Sequence, residues 1–241
     1  MTEPIAAASP RPIPRTIGAV YLFYFLTVIT AEMLIRGMIV AGDPAATATN
    51  LLAHERLFRL NLALGLIATA LYIAVTVLFY GLFKPVNKTI ALLAAFLSLA
   101  GCAIQAVGSL FRIAPFVVLD GSPYLRAFKL DQLQAMALIF LKLNIQATFI
   151  YLAFFGMFNL SIGYLIYNST FLPRILGLLM ALSGVGWLMF LSPPLATHFL
   201  PFIELLGILA EASLMLWLLV LGVNVDRWQQ QAIVAGQLTT H

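Results

Sequence analysis

The chain has 241 residues, of which 62% are hydrophobic and 9% charged, with a mean hydropathy of +1.01. A water-soluble globule of that composition lacks the polar side chains to cover its surface, so the chain belongs in a bilayer. The net charge of +4 comes without a basic tract, which excludes nucleic acid as a partner and points to cationic loops at a membrane surface.

A helix needs about 20 apolar residues to cross a hydrocarbon core about 30 Å thick. Six stretches meet that length, which predicts an all-α polytopic membrane bundle of six transmembrane helices. The first, residues 17–41, is too long for a signal-peptide core and lacks a small-x-small cleavage pattern, so it reads as a retained helix. Within it Glu32 and Arg36 stand four apart with the glutamate N-terminal, the spacing of a plain intrahelical pair.

The polar stretch "GDPAATATNLLAHERLFR" follows. Asp43 before Pro44 is a helix start, and no proline or glycine interrupts residues 45–64. The second crossing, residues 57–83, therefore reads as the inner part of one rod from Pro44 to Phe83, about 60 Å long, whose first turns project from the membrane. Glu55 and Arg59 repeat the pairing distance, and His54 reads as a polar residue of the rim. His54 and Glu55 do not make a metalloprotease motif, because the position four beyond the histidine is Phe58. With no other His/Cys cluster at metal spacing, neither a metal nor a cofactor is expected.

The third crossing, residues 89–114, aligns Gly101, Gln105, Gly108 and Arg112 on one stripe and continues to Pro115. Its Cys102, the one cysteine of the chain, reads as packing. The fourth, residues 142–167, sets Lys142 and Gln146 on one face and extends back without proline to Leu125. Three such excess lengths on one side would wall a vestibule. The fifth, residues 172–191, offers Gly177, Ala181, Ser183 and Gly184, small residues suited to close helix packing. The sixth, residues 200–223, carries Glu204 and Glu211 seven apart, nearly eclipsed.

Connectors such as "KPVNK" and "NSTFLPR" leave no room for a soluble domain. The expected organisation is an N-terminal tail over residues 1–16, a membrane domain over 17–223 and a C-terminal tail over 224–241. One side holds Arg11, Arg15, Lys84, Lys88, Arg174 and Arg227 against Glu3 and Asp226. The other holds Arg56, Arg126 and Lys129 beside Asp43, Glu55, Asp120 and Asp131, so both termini are expected in the cytoplasm.

Several landmarks occur together: "GDPAATATNLLAHERLFRLNLA", "LFYGLFKPVNKTIALLAAFLSLAGCAIQ", "FFGMFNLSIGYLIYNSTFLPRILGLLMALSGVGWL" and "EASLMLWLLVLGV". In these the chain resembles a bacterial membrane family known as the domain of unknown function 4386, over nearly all of residues 15–223. The resemblance implies a multi-pass bacterial membrane protein and carries no catalytic assignment; the expected location is the inner membrane.

Function must then be read from polar groups inside the apolar segments, which are costly and ordinarily face a bundle interior or a wet cavity. Glu32, Arg36, Arg59, Gln105, Arg112, Lys142 and Glu204 are expected in the outer half and Glu211 near the middle. With His54 and Gln146 they would make a ligand-binding pocket open to the extracytoplasmic side. Arg36, Arg59, Arg112 and Lys142 outnumber Glu32, Glu204 and Glu211 by one, which favours a small anionic or zwitterionic, amphipathic guest. The leading reading is a ligand-binding sensor or small permease with membrane lipid around it. The alternatives are an integral membrane enzyme using Glu32, Glu211 or His54 as acid or base on a lipid-soluble substrate, or an accessory subunit whose charges only order the bundle. On the bland reading Arg112 and Lys142 snorkel to headgroups. Glu211, with Ile208, Leu214 and Met215 as helical neighbours, is too deep for that, and is expected to face inward and contact Arg112 or Lys142.

Overall fold

The computed structural model describes residues 12–237. Residues 1–11 of the expected N-terminal tail, with Glu3 and Arg11, lie outside the described residues, as do residues 238–241. The order of elements is α1 (Pro12–Ile35), α2 (Pro44–Ala53), α3 (Glu55–Phe83), α4 (Lys88–Val118), α5 (Leu130–Tyr167), α6 (Arg174–Leu188), α7 (Pro193–Val220) and α8 (Val225–Val234). Short 3-10 turns occupy Pro123–Ala127 and Met189–Leu191. Six of the helices, α1, α3, α4, α5, α6 with the turn after it, and α7, are long and apolar enough to cross a membrane. These are the six crossings expected.

The six close into a ring in chain order. α1 packs on α3, α3 on α4, α4 on α5, α5 on α6, α6 on α7, and α7 returns to α1. The centre is filled by buried Tyr21, Phe79, Phe158, Leu165, Met180 and Leu214. As the small residues of the fifth crossing suggested, α6 lies almost backbone to backbone on α5. A methyl added to Gly163 would come within 2.7 Å of the Ala181 nitrogen and the Gly177 oxygen, and one added to Gly184 within 2.7 Å of the Gly156 oxygen. Without a hydrophobic drive between helices in lipid, such close approach is what holds the seam. Amides add staples: buried Asn61 Nδ2 donates to the Ala31 carbonyl at 2.6 Å, joining α3 to α1, and half-buried Asn144 Nδ2 to the Gly108 carbonyl at 3.0 Å, joining α5 to α4.

An even number of crossings puts both ends of the described chain on one face, the terminal face; the opposite one is the distal face. There the structure corrects the expectation of a single rod from Pro44 to Phe83. Asp43 does cap α2, accepting from the Ala46 N–H at 2.9 Å, but the helix breaks at His54, whose φ and ψ are −120° and 29°. The Asn50 carbonyl accepts both the His54 N–H at 3.0 Å and a ring nitrogen of the same residue at 3.1 Å. The reason for the bend is tertiary. Ala48 and Leu51, beside Thr47 whose hydroxyl bonds the Val40 backbone, form a stripe that a straight rod would leave in water, whereas the elbow lays α2 against α5 and buries it. α1 likewise stops at Ile35, short of residue 41, and the chain turns through Gly37 and Gly42, both at positive φ.

The result is a small second core of Met38, Leu51, Phe58, Phe116 and Leu141. Phe58 stands 25 residues from the terminal end of α3, about 37 Å at helical rise, and Leu141 26 residues from that of α5, about 39 Å. The excess lengths thus pack into a cap above a 30 Å hydrocarbon layer and do not stand apart as vestibule walls. In the distal connector the Ser122 hydroxyl and N–H hold the Asp120 carboxyl below its ordinary pKa.

On the terminal face, part of the expected C-terminal tail is the helix α8, which ties the connectors together. Trp228 Nε1–H donates to the Leu82 carbonyl at 2.9 Å and Gln237 Nε2–H to the Lys84 carbonyl at 2.8 Å. Gln231 Oε1 accepts from the Thr170 N–H at 3.1 Å and hydroxyl at 3.0 Å.

Candidate functional site

Depth can be counted along each helix from its terminal-face end. Glu211 lies nine residues from the end of α7 and Tyr21 nine from the start of α1, each about 14 Å in; Asn159 lies eight from the end of α5, about 12 Å. Ser183, nine residues into α6, falls on the same level. The closed ring brings these four to one polar centre near mid-membrane.

Tyr21 donates its hydroxyl to Glu211 Oε2 at 2.9 Å. Asn159 Nδ2 donates to Glu211 Oε1 at 3.3 Å and to Ser183 Oγ at 3.2 Å. Tyr21 and Asn159 are fully buried and Ser183 is 1% exposed, while Glu211 retains some accessible surface. Asn159 Oδ1 is buried without a hydrogen-bond partner among the described residues. A wall of aromatic rings surrounds the centre. Tyr24 lies tilted at 4.8 Å from Tyr72, and edge-to-face contacts follow from Tyr72 to Phe155 at 4.9 Å and from Phe155 to Tyr151 at 5.6 Å, centroid to centroid. Tyr24 and Tyr72 both lie within electrostatic reach of Glu211. A carboxylate with two neutral donors and a nearby spare acceptor can take up a proton or a group that brings donors of its own.

The expected contact of Glu211 with Arg112 or Lys142 is not made. Arg112 lies 24 residues from the start of α4 and Lys142 25 from the end of α5, about 36 Å and 37 Å from the terminal face, more than about 20 Å beyond Glu211. Glu32 and Arg36 do not pair either, because α1 ends at Ile35 and Arg36 stands outside the helical register. Both are exposed. Among the described residues the one ion pair is Arg59 with Glu55, at 2.6 Å and exposed, with the Arg59 guanidinium 5.4 Å from the Phe116 ring centre.

Lys142, Gln146 and Glu204 are exposed; Gln105 and Arg112 are half-buried, and Arg112 and Glu32 lie within electrostatic reach of Tyr151. His54 borders a cavity of about 340 Å³ at the elbow with Glu55 and Arg56. Glu32, Arg59, Arg112 and Lys142 therefore stand about 30–37 Å from the terminal face, toward the distal ends of their helices, and of the ten site residues read from the sequence Glu211 alone belongs to the polar centre. Its partner Asn159 carries a sequence signal all the same, a lone amide in the apolar run "FFGMFNLSIGYL". Tyr21 and Ser183 carry none, since tyrosine and serine are common in membrane helices for packing.

The family model "Domain of unknown function (DUF4386)" matches residues 16–222. Neither a curated protein nor a solved structure matches the chain. The match spans most of the membrane bundle, including all four residues of the polar centre, and the chain belongs to the DUF4386 family.

Proposed function

We propose that the chain is a membrane-embedded binding protein, a sensor or small permease, in which Glu211 receives the cationic or hydrogen-bond-donating end of a small amphipathic guest. One observation carries the reading: a carboxyl group at mid-depth is bonded to Tyr21 and Asn159 and to no cation among the described residues. Intramembrane carboxyl groups are costly and tend to mark substrate or ion sites. The spare Asn159 acceptor favours a guest that donates, and the faces of Tyr24 and Tyr72 suit an alkylammonium. An anionic guest, which the bare charge count favoured, would have to meet the carboxylate, since Arg36, Arg59, Arg112 and Lys142 stand toward the distal face.

The orientation belongs to the same proposal. Arg15, Lys84, Lys88, Arg174 and Arg227 against Asp226 on the terminal face support cytoplasmic termini in an inner membrane.

The test is thermal unfolding of detergent-purified protein against amphipathic amines, carboxylates and quinones. An amine at a hundred times its Kd is expected to raise the Tm of the natural chain by about 5 °C or more and to leave Glu211→Gln unmoved. Equal stabilisation of both forms by a carboxylate would overturn the reading.

A further inference from the structure

A second site lies on the terminal face, away from Glu211. A cavity of about 810 Å³ opens between α8, the α5–α6 connector and the start of α6, lined by Thr170, Leu172, Arg174, Arg227, Gln231 and Val234 among others. It shares Thr170, Leu172 and Arg227 with a neighbouring cavity of about 420 Å³ whose wall adds Trp217 of α7 and Leu221 just past its end. Among the described residues no carboxylate lines either cavity. Asp226 precedes Arg227 on α8 but is exposed and stands outside both linings.

The two arginines are held in place by other means than acidic partners. Arg227 Nη1–H donates to the Thr170 carbonyl at 3.4 Å, which leaves most of its fork of donors open, and the Arg174 guanidinium lies 5.5 Å from the Tyr167 ring centre. Arg174 is also the first residue of α6, whose N-cap is Pro173 and whose first turn has no side-chain cap. Orphan amide donors and the positive end of the helix therefore add to the same corner.

We propose that this cavity binds a phosphate-bearing anion, the headgroup of an anionic phospholipid. Two guanidinium groups match a phosphate in charge and in donor geometry. The lipid source follows from what lies next to them. The lining sets Arg174 and Arg227 beside Leu172, Trp217 and Leu221 at the terminal-face end of α7, charged groups next to apolar ones as in a phospholipid. The site also sits where the helices meet their connectors, at the level where basic pockets meet headgroups.

The test uses the detergent-purified full chain, with native mass spectrometry and thermal unfolding in phosphatidylglycerol, phosphatidylcholine or inorganic phosphate. Phosphatidylglycerol is expected to bind at least about tenfold tighter than phosphatidylcholine and to raise the Tm. Arg174→Gln with Arg227→Gln is expected to abolish that preference, and Arg174→Lys with Arg227→Lys to keep part of it, as point charges would. If inorganic phosphate alone reproduces the stabilisation and phosphatidylglycerol adds nothing, the anion site stands and its ligand comes from solution. Equal binding of the two lipids, or a preference that survives in the double glutamine form, overturns the proposal. Should the double glutamine form not fold, Arg227→Gln alone reads the same preference.

Discussion

Asn159 makes two donor bonds from one amide, to Glu211 and Ser183, and so joins α5 to both α7 and α6 at a single point. Tyr21 reaches the same carboxyl group from α1. How much these bonds stabilise depends on the surroundings. Polar bonds between membrane helices average about 0.6 kcal/mol and reach about 1.7, whereas bonds to a charged group in soluble proteins run to about 1.5–3 kcal/mol. Tyr21→Phe is therefore expected to cost about 0.6–1.7 kcal/mol in the natural chain and close to nothing once Glu211 is leucine, as read from a double-mutant cycle of unfolding in lipid-like detergent. Equal costs in both backgrounds would mean that the bond is not made in the membrane. At this scale Glu211 was readable from the sequence because a carboxyl group cannot hide in an apolar helix. Its pairing with Tyr21 and Asn159 was not, because neutral donors on two other helices leave no periodic mark, and cations offered the more obvious partners.

Among the elements, the α5–α6 seam and the elbow at His54 rest on opposite forces. The seam lies within the hydrocarbon layer and depends on backbone proximity, so Gly163→Leu must push α6 off α5. The expected loss is about 3 kcal/mol or more, at the upper end of overpacking because the obstructing atoms belong to the backbone, and it would appear as a fall in Tm. The cap lies above that layer, where water restores the hydrophobic drive. Phe58 is 1% exposed and 5.3 Å from Phe116, ring centre to ring centre, so Phe58→Ala is expected to cost about 3–5 kcal/mol. Hydrogen exchange would show α2 losing protection while the inner half of α5 keeps it. The small residues of α6 announced the seam in advance. The elbow was hidden, because nothing between Ala45 and Leu64 forbids a straight helix, and the bend answers to a surface on α5 that local sequence does not describe.

For the whole molecule, what mattered most was where the polar groups stand along the membrane normal. Six apolar lengths of the right size made the bundle readable, and the resemblance to the DUF4386 family agreed with it. A pocket gathered from the rim charges was a matter of depth, and depth depends on where each helix begins. With the terminal-face ends placed, Arg59, Arg112 and Lys142 rise to a headgroup level and Glu211 stays deep. The proposed orientation has its own check. With Cys102 replaced by alanine, Ser122→Cys in the distal connector is expected to react with an impermeant maleimide from outside intact cells, and Asn168→Cys only after permeabilisation. The reverse pattern would turn the protein over.

The clasp formed by α8 also sets an order of events during synthesis. Trp228 finds the Leu82 carbonyl across 146 residues, and Gln237 the Lys84 carbonyl across 153. Leu82 belongs to the last turn of α3, whose carbonyls have no partner within the helix. At about 5–20 residues per second that oxygen waits roughly 7–30 s for its indole. Until then the α3–α4 and α5–α6 connectors are untied, and the ring of helices can still adjust its seams. The last described helix to be translated is thus the one that locks the terminal face.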